Sequence, residues 1–450
     1  MNRMLALVVS LALLPALMPA QVIESPDPEI ARMVGEVSAD TLRATIGHLV
    51  GFGTRHTLSG SPDGRHGIVA ARAWVLARFR EWANESGGRF SASIDSSTVM
   101  PDGQRINRPV VVASVVGTLK GADPDDDRVY VVSGHLDSRA TGAMDSVSEA
   151  PGADDDGSGT AAVMECARVM CTHAFAATVK FTVVSGEEQG LFGSTHIAGE
   201  AKAQHWNVDA VLNNDIMGGS ASAESGVRDN TRVRVFSEGL PAADPEKSAK
   251  MIRMLGLEND GKARQLARYV KEMCARYIPH LEAVMIYRND RFLRGGDHTP
   301  WVENGYAAVR ITEMNEDYRH QHQNVRSENG VQYGDLPEFI DFDYLRKNAA
   351  LNLATLASLA KAPPPPRDVS VEVRALTNAT ELSWTAPRTG KPKGYYVLMR
   401  ETTSPVWQTK LFTTATEIRL PWSKDNYFFA VQSVGEQGDE GLPVVPAVRR

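Results

Sequence analysis

The sequence predicts an α/β fold with a mostly parallel central sheet flanked by helices, followed by a C-terminal all-β sandwich. Three observations lead there. Between residues 131 and 215, short apolar runs alternate with helical segments at the spacing of βαβ units. Most of those runs end directly in acids or a histidine, and parallel sheets carry function at the carboxyl ends of their strands. Beyond Pro363, Pro364, Pro365 and Pro366, the chain alternates at period two with turn signals at strand spacing.

The elements follow in order. Residues 38–50 form a helix with Ser38 as N-cap and Leu42, Ile46 and Leu49 on one face. Residues 51–61 are a turn-rich loop holding Arg55 and His56, and an Ala-rich helix covers 67–82. Strands fall at 90–94, 110–119 and 130–133. A helix over 158–171 begins just beyond Asp154, Asp155 and Asp156. A strand at 178–184, a helix at 191–202 and a strand at 209–213 continue the alternation. Residues 219–231 are loop, and 246–255 and 261–277 read as surface helices. A loop rich in Arg and Gly spans 289–301, a strand 307–311, an irregular polar stretch 313–328 and a closing amphipathic helix 343–360. The four prolines form a semi-rigid spacer, which predicts few contacts between the tail and what precedes it. In the tail, alternating Val369, Val371 and Val373, a Trp at 384 and aromatic runs at 395–396 and 427–429 fit a sandwich.

A chain of 450 residues exceeds what one core usually serves. The division expected is a signal peptide over 1–20, a catalytic domain over 21–360, a linker over 361–367 and a β domain over 368–450. The signal rests on Arg3, an apolar run from Leu5 to Leu14, and Ala20 as cleavage edge. That run is too short and Pro-interrupted for a membrane span, so an exported protein without stable membrane insertion is expected, periplasmic or extracellular. The net charge of −7, with no basic block, excludes a nucleic-acid footprint. Three cysteines, Cys166, Cys171 and Cys274, give no disulfide framework and read as buried thiols.

The acids and histidines at strand ends carry the chemistry. His135 and Asp137 lie two apart; a metal-bound imidazole usually has its second nitrogen held by a carboxylate. Asp154, Asp155 and Asp156 repel one another unless a cation sits among them. Glu187 and Glu188 follow an apolar strand, where paired acids are costly unless neutralised. One can bind an ion while the other moves a proton from water activated by it. Asp215 ends the next strand, and His298, His320 and His322 lie in later loops. No Gly-x-Ser-x-Gly elbow, His-Glu-x-x-His helix or dinucleotide fingerprint competes.

On these residues, from about Leu42 to Leu359, the chain resembles the bacterial leucyl-aminopeptidase family of co-catalytic zinc exopeptidases. The resemblance rests on His135-x-Asp137, Gly152-Ala153-Asp154-Asp155-Asp156-Gly157-Ser158-Gly159, Glu187-Glu188, Asn214-Asp215 and Asp297-His298. It implies two zinc ions bridged by Asp155, one also held by His135 and Asp215, the other by Glu188 and a C-terminal histidine. Glu187 is then the general base, and Asp137 orients His135. The last ligand falls in the stretch 318–324, where His322 is preferred to His320. From about Arg367 to Pro446 the tail resembles a fibronectin type III domain, through Trp384, Tyr396 and Tyr427.

The expectation is an exported di-zinc aminopeptidase acting on peptides. A carboxypeptidase is the first alternative, with Arg291 and Arg294 as a bidentate clamp on a substrate carboxylate. A one-zinc glutaminyl cyclase and a non-catalytic peptide-binding protein on the same scaffold are the others.

Overall fold

The computed structural model describes residues 24–60, 63–243 and 245–449. The expected signal peptide lies outside them. Helices α1 (Pro28–Gly35), α2 (Ala39–Val50) and α3 (Gly67–Glu85) lead into strands β1 (Phe90–Val99), β2 (Val110–Leu119) and β3 (Arg128–His135). The Ser38 hydroxyl caps α2 by accepting from the Thr41 amide. Then come α4 (Gly157–Met170), β4 (Thr178–Val184), a single turn α5 (Glu187–Gly190), α6 (Phe192–Ala203) and β5 (Asn207–Asn214). Next are β6 (Arg232–Phe236), α7 (Pro245–Leu255), α8 (Lys262–Tyr277), β7 (Glu282–Ile286), α9 (Thr299–Glu303) and β8 (Ala308–Glu313). A small hairpin, β9 (Arg326–Glu328) and β10 (Val331–Tyr333), precedes α10 (Phe342–Lys361). The strands β6 and β7 had no counterpart in the sequence reading.

Eight strands form one sheet in the order β1-β2-β4-β3-β5-β8-β6-β7. Its centre, β4-β3-β5-β8, is parallel throughout. Alternate side chains of β3 enter two cores. Tyr130 and Val132 pack on the face covered by α2, α4, α8 and α10, and Val131 on the face covered by α6 and α9. The chain leaves β3 to build β4 on one side and then β5 on the other. The carboxyl end of β3 is therefore a topological switch point, the crevice where open α/β sheets bind ligands. There β3 and α4 meet closely: a Cβ on Gly134 would lie 2.6 Å from the Gly159 carbonyl carbon. A Cβ on Gly159 would strike the Asp156 carboxylate, so Gly-Ser-Gly lets α4 start against the strand end.

After the prolines, β11 (Arg367–Glu372), β12 (Thr380–Thr385), β13 (Gly394–Glu401), β14 (Thr409–Thr413), β15 (Glu417–Leu420), β16 (Tyr427–Val434) and β17 (Ala447–Arg449) form two sheets, β15-β12-β11-β17 and β14-β13-β16. Trp384 and Tyr395 meet edge to face at 5.4 Å in the core between them.

Two expectations are corrected here. Helix α8 is not a surface helix: Leu266, Val270 and Met273 pack into the main core, and part of its charged stripe meets the tail. Nor does the proline spacer hold the tail apart. Lys410 bonds Glu272 and Glu440, Arg276 bonds the same two acids, Arg400 bonds Asp260, and Arg268 donates to the Pro405 carbonyl. The spacer itself is pinned where Arg128 donates to the Ala362 carbonyl at 2.6 Å. All three cysteines are free and buried, as expected.

Candidate metal centre

The sequence-predicted acids and histidines converge at the carboxyl ends of β3, β4 and β5. His135 ends β3 and Asp215 follows β5. Asp155 lies just before α4, in a loop whose backbone is fixed by two further acids. Asp156 caps α4, accepting from the Gly159 amide, and also accepts from the His135 amide at 2.8 Å. Asp335 accepts from the Asp154 and Asp155 amides at 2.9 and 2.7 Å. Sequence reasoning missed Asp335 because its partners are 180 positions away.

Two groups of possible ligand atoms result, each with all atoms within 4.8 Å of one another: His135, Asp155 and Asp215, and Asp155, Glu188 and His322. Asp155 belongs to both. Its Oδ1 lies 3.2 Å from His135 Nε2, and its Oδ2 lies 3.1 Å from His322 Nε2. His322 Nε2 is also 2.9 Å from Glu188 Oε1. His320 faces elsewhere, its ring stacked on Phe339 at 3.6 Å. Carboxylate oxygen and imidazole nitrogen in this arrangement suit a borderline divalent cation such as zinc.

The tautomer of His135 follows from its second nitrogen. Nδ1 lies 3.0 Å from the Asp137 main-chain carbonyl, an acceptor, so Nδ1 carries a proton and Nε2 is the nitrogen that faces the cluster. The Asp137 carboxylate itself is 3.8 Å from Nδ1, beyond hydrogen-bond range. It accepts instead from the Gly186, Glu187 and Glu188 amides at 2.8, 3.3 and 3.0 Å. The expected role of Asp137 is thus corrected: its main chain holds the imidazole, and its carboxylate shapes the turn that carries both glutamates.

Neighbouring carboxylates here titrate in opposite directions. Burial, with Asp215, Glu188 and Asp297 nearby, pushes Glu187 well above the usual carboxylate range despite His135. Burial acts the same way on Asp155, but the two imidazoles outweigh it and hold Asp155 well below that range. Burial also drives Asp297 up to about 7. Behind Asp215, the buried Arg310 places Nη2 3.0 Å from Oδ1 and Nη1 3.2 Å from Asp290.

Arg291 and Arg294 are not brought together as a clamp. Arg291 is buried and paired with Asp290 at 3.2 Å and Glu316 at 2.8 Å, which leaves its fork engaged within the protein. Arg294 reaches Glu316 at 3.6 Å and Gln321 at 3.3 Å.

The model of peptidase family M28 matches residues 114–333, the segment that holds every ligand candidate. A probable zinc metalloprotease of Leptosphaeria maculans is 44% identical over 424 residues, covering 94% of this chain and 97% of the relative. The chain belongs to peptidase family M28. It is a zinc metallopeptidase and hydrolase, whose substrates are peptides. A second probable zinc metalloprotease, from Pyricularia oryzae, is 44% identical to this M28 peptidase over 94% of the chain and 85% of its own length. Coverage that high carries both alignments past the prolines into the β sheets. Among solved structures, the LapA aminopeptidase of Legionella pneumophila shares the fold, with a TM-score of 0.53 and 22% identity over 77% of this chain and 78% of LapA. No described helix is long and apolar enough to cross a membrane.

Proposed function

We propose that this M28 peptidase is an exported aminopeptidase that works with two zinc ions. The observation that carries the reading is Asp155, one carboxylate with an oxygen directed into each of two ligand groups. His135, Asp155 and Asp215 would hold one ion, and Asp155, Glu188 and His322 the other. Five donors with one shared favour two ions over the single ion of a glutaminyl cyclase. When bound, zinc supplies Lewis acidity to the scissile carbonyl and makes water acidic enough to ionise near neutral pH.

The chain's own residues do the rest. Glu187 belongs to neither ligand group, and its position on α5 is fixed by the Asp137 carboxylate. It takes the proton of the attacking water and returns it to the leaving amine. Arg310 keeps Asp215 ionised and oriented. A cavity of about 620 Å³ opens beside Asp155 and Gln321, lined by Asp154, Glu313 and Asp335 among others. Acidic residues outnumber the two arginines, Arg228 and Arg319, in its lining, which suits a free ammonium group better than a terminal carboxylate and favours aminopeptidase over carboxypeptidase action. The engagement of Arg291 argues the same way. Both glutamates beside a complete donor set argue against a non-catalytic binding protein. In this reading the tail is a fibronectin type III-like domain, residues 1–20 a cleaved signal, and residues 21–360 the catalytic domain.

The test is a panel of short peptides with free and blocked termini, alongside elemental analysis of the purified protein. Cleavage that requires a free N-terminus, with two zinc ions per chain, is expected. Cleavage of N-blocked peptides requiring a free C-terminus would replace this reading with a carboxypeptidase.

A further inference from the structure

The arginines around the metal cluster differ in what engages them. Arg55 donates to four main-chain carbonyls, those of Leu49, Leu136, Pro151 and Gly152. Arg310 has Asp215 and Asp290, Arg291 has Asp290 and Glu316, and Arg105 donates to the Glu188 carbonyl. Arg139 is the exception. Its side chain is only 14% exposed, and Glu188, 3.9 Å away, is the one carboxylate paired with it among the described residues. Glu188 belongs to a ligand group, so its charge is directed at the cluster. The remaining Arg139 contacts are bonds at 3.3 and 3.2 Å to the carbonyls of its own loop, Ala140 and Thr141. A largely buried arginine beside the metal cluster, without an acid outside that cluster, is arranged for an anion that arrives with substrate.

Its place relative to the cavity gives that anion a direction. The contacts run in one series: Arg139 to Glu188, Glu188 to His322, His322 to Asp155, and Asp155 to the acidic cavity. Arg139 thus borders the Glu188 and His322 side of the cluster, whereas the cavity borders Asp155. Its loop is fixed to the loop of His322, because Thr141 and Asn324 exchange two hydrogen bonds at 2.9 and 3.1 Å. With the N-terminal residue on the cavity side, the residue after the scissile bond extends toward Arg139. One extended residue spans about 3.5 Å, so a carboxylate on that residue comes within reach.

We infer that Arg139 binds a carboxylate of the residue following the scissile bond, so that the enzyme prefers dipeptides with a free C-terminus. The inference rests on the aminopeptidase reading. An acidic side chain on the same residue offers the same chemistry, and the test separates the two.

The experiment measures kcat/KM on Leu-Ala, Leu-Ala amide and Leu-Glu amide, for the zinc-loaded enzyme and for Arg139→Met and Arg139→Lys, with metal content determined for each. The wild type is expected to favour Leu-Ala over its amide by about 10- to 100-fold, as a charge-assisted pair would give. The acid-to-amide ratio should fall to near one in Arg139→Met and recover partly in Arg139→Lys. Rescue of the amide by the Glu side chain, with Leu-Ala no better than its amide, would assign the site to acidic side chains and overturn the dipeptide preference. A wild-type ratio near one on both comparisons, with leucine still released, would overturn the role of Arg139 and leave the aminopeptidase standing. A ratio unchanged in Arg139→Met would overturn it as well. Cleavage confined to N-blocked peptides would remove the aminopeptidase reading and this inference together.

Discussion

Two buried clusters of charge lie in this molecule, and they are built on opposite plans. At the metal centre, Asp155, Asp215 and Glu188 face the imidazoles of His135 and His322, with Glu187 beside them. At the junction of α8 and the tail, Glu272 and Glu440 meet Arg276 and Lys410, and Asp260 meets Arg400. The first gathers carboxylates faster than cations and is completed by something from outside. The second is neutralised by its own chain. A buried acid is expensive alone, so the location of its counter-charge separates a functional cluster from an adhesive one.

The largest effect should come from removing one side of the adhesive cluster altogether. Deleting residues 363–450 strands Glu272, Arg276 and Asp260 at a bare surface and uncovers the face of α8. We expect loss of the soluble fold, read by circular dichroism and solubility. A truncated protein that folds and still cleaves dipeptides would show that the junction is dispensable, as the proline spacer alone suggested.

Single changes then separate the two plans. Glu187→Gln should keep the metal and the melting temperature but lower kcat by roughly 10²- to 10⁴-fold, the usual worth of a positioned base. Glu188→Gln should lose metal instead. Equal metal loss in both would show that the two glutamates do not divide the work. At the junction, Lys410→Met leaves two buried acids short of a cation and should cost about 3–5 kcal/mol in denaturant unfolding, with the kcat of the folded enzyme preserved.

The smallest effect is the pH response of the junction. Burial opposes ionisation of Glu440, but Lys410 and Arg276 outweigh it and lower its pKa below the ordinary 4.5. Its contribution is therefore present above about pH 4.5 and lost as pH falls through the folded value. Lys410 is raised above its ordinary 10.5, as Glu272 and Glu440 outweigh burial; its contribution holds below that pH and is lost above it. Glu272 runs the other way, raised by burial and by Glu440, and offsets part of the acid loss. Melting temperatures should fall at both extremes, and the acid limb should shrink in Lys410→Met. An acid limb identical in the variant would mean other groups set it.

Much of the fold was legible in the chain. The strand at 178–184 and the helix capped by Ser38 follow from apolar period and capping alone, because both are local properties. Strand β7 was not legible, since short apolar runs look alike in strands, helices and loops, whereas β6 carried the alternation of Arg232, Val233, Arg234 and Val235 that could have found it. Helix α8 misled for a related reason. Arg264, Arg268, Glu272 and Arg276 recur every four residues and read as a solvated stripe, whereas part of that stripe meets the counter-charges of the tail.

The sequence by itself determined which residues could serve a metal: acids and histidines set directly after apolar runs, where a parallel sheet exposes them. The family resemblance also ranked His322 above His320. Only the tertiary structure decided the division of labour. Asp137 turned out to hold the glutamate turn, Arg291 to pair within the protein, and Arg139 to stand beside Glu188 without an acid outside the cluster. The reason is physical. Residue type and local spacing fix what a side chain can bind, but its partner is set by which distant segment folds against it. For a charged group, that partner decides whether it binds the protein or something else.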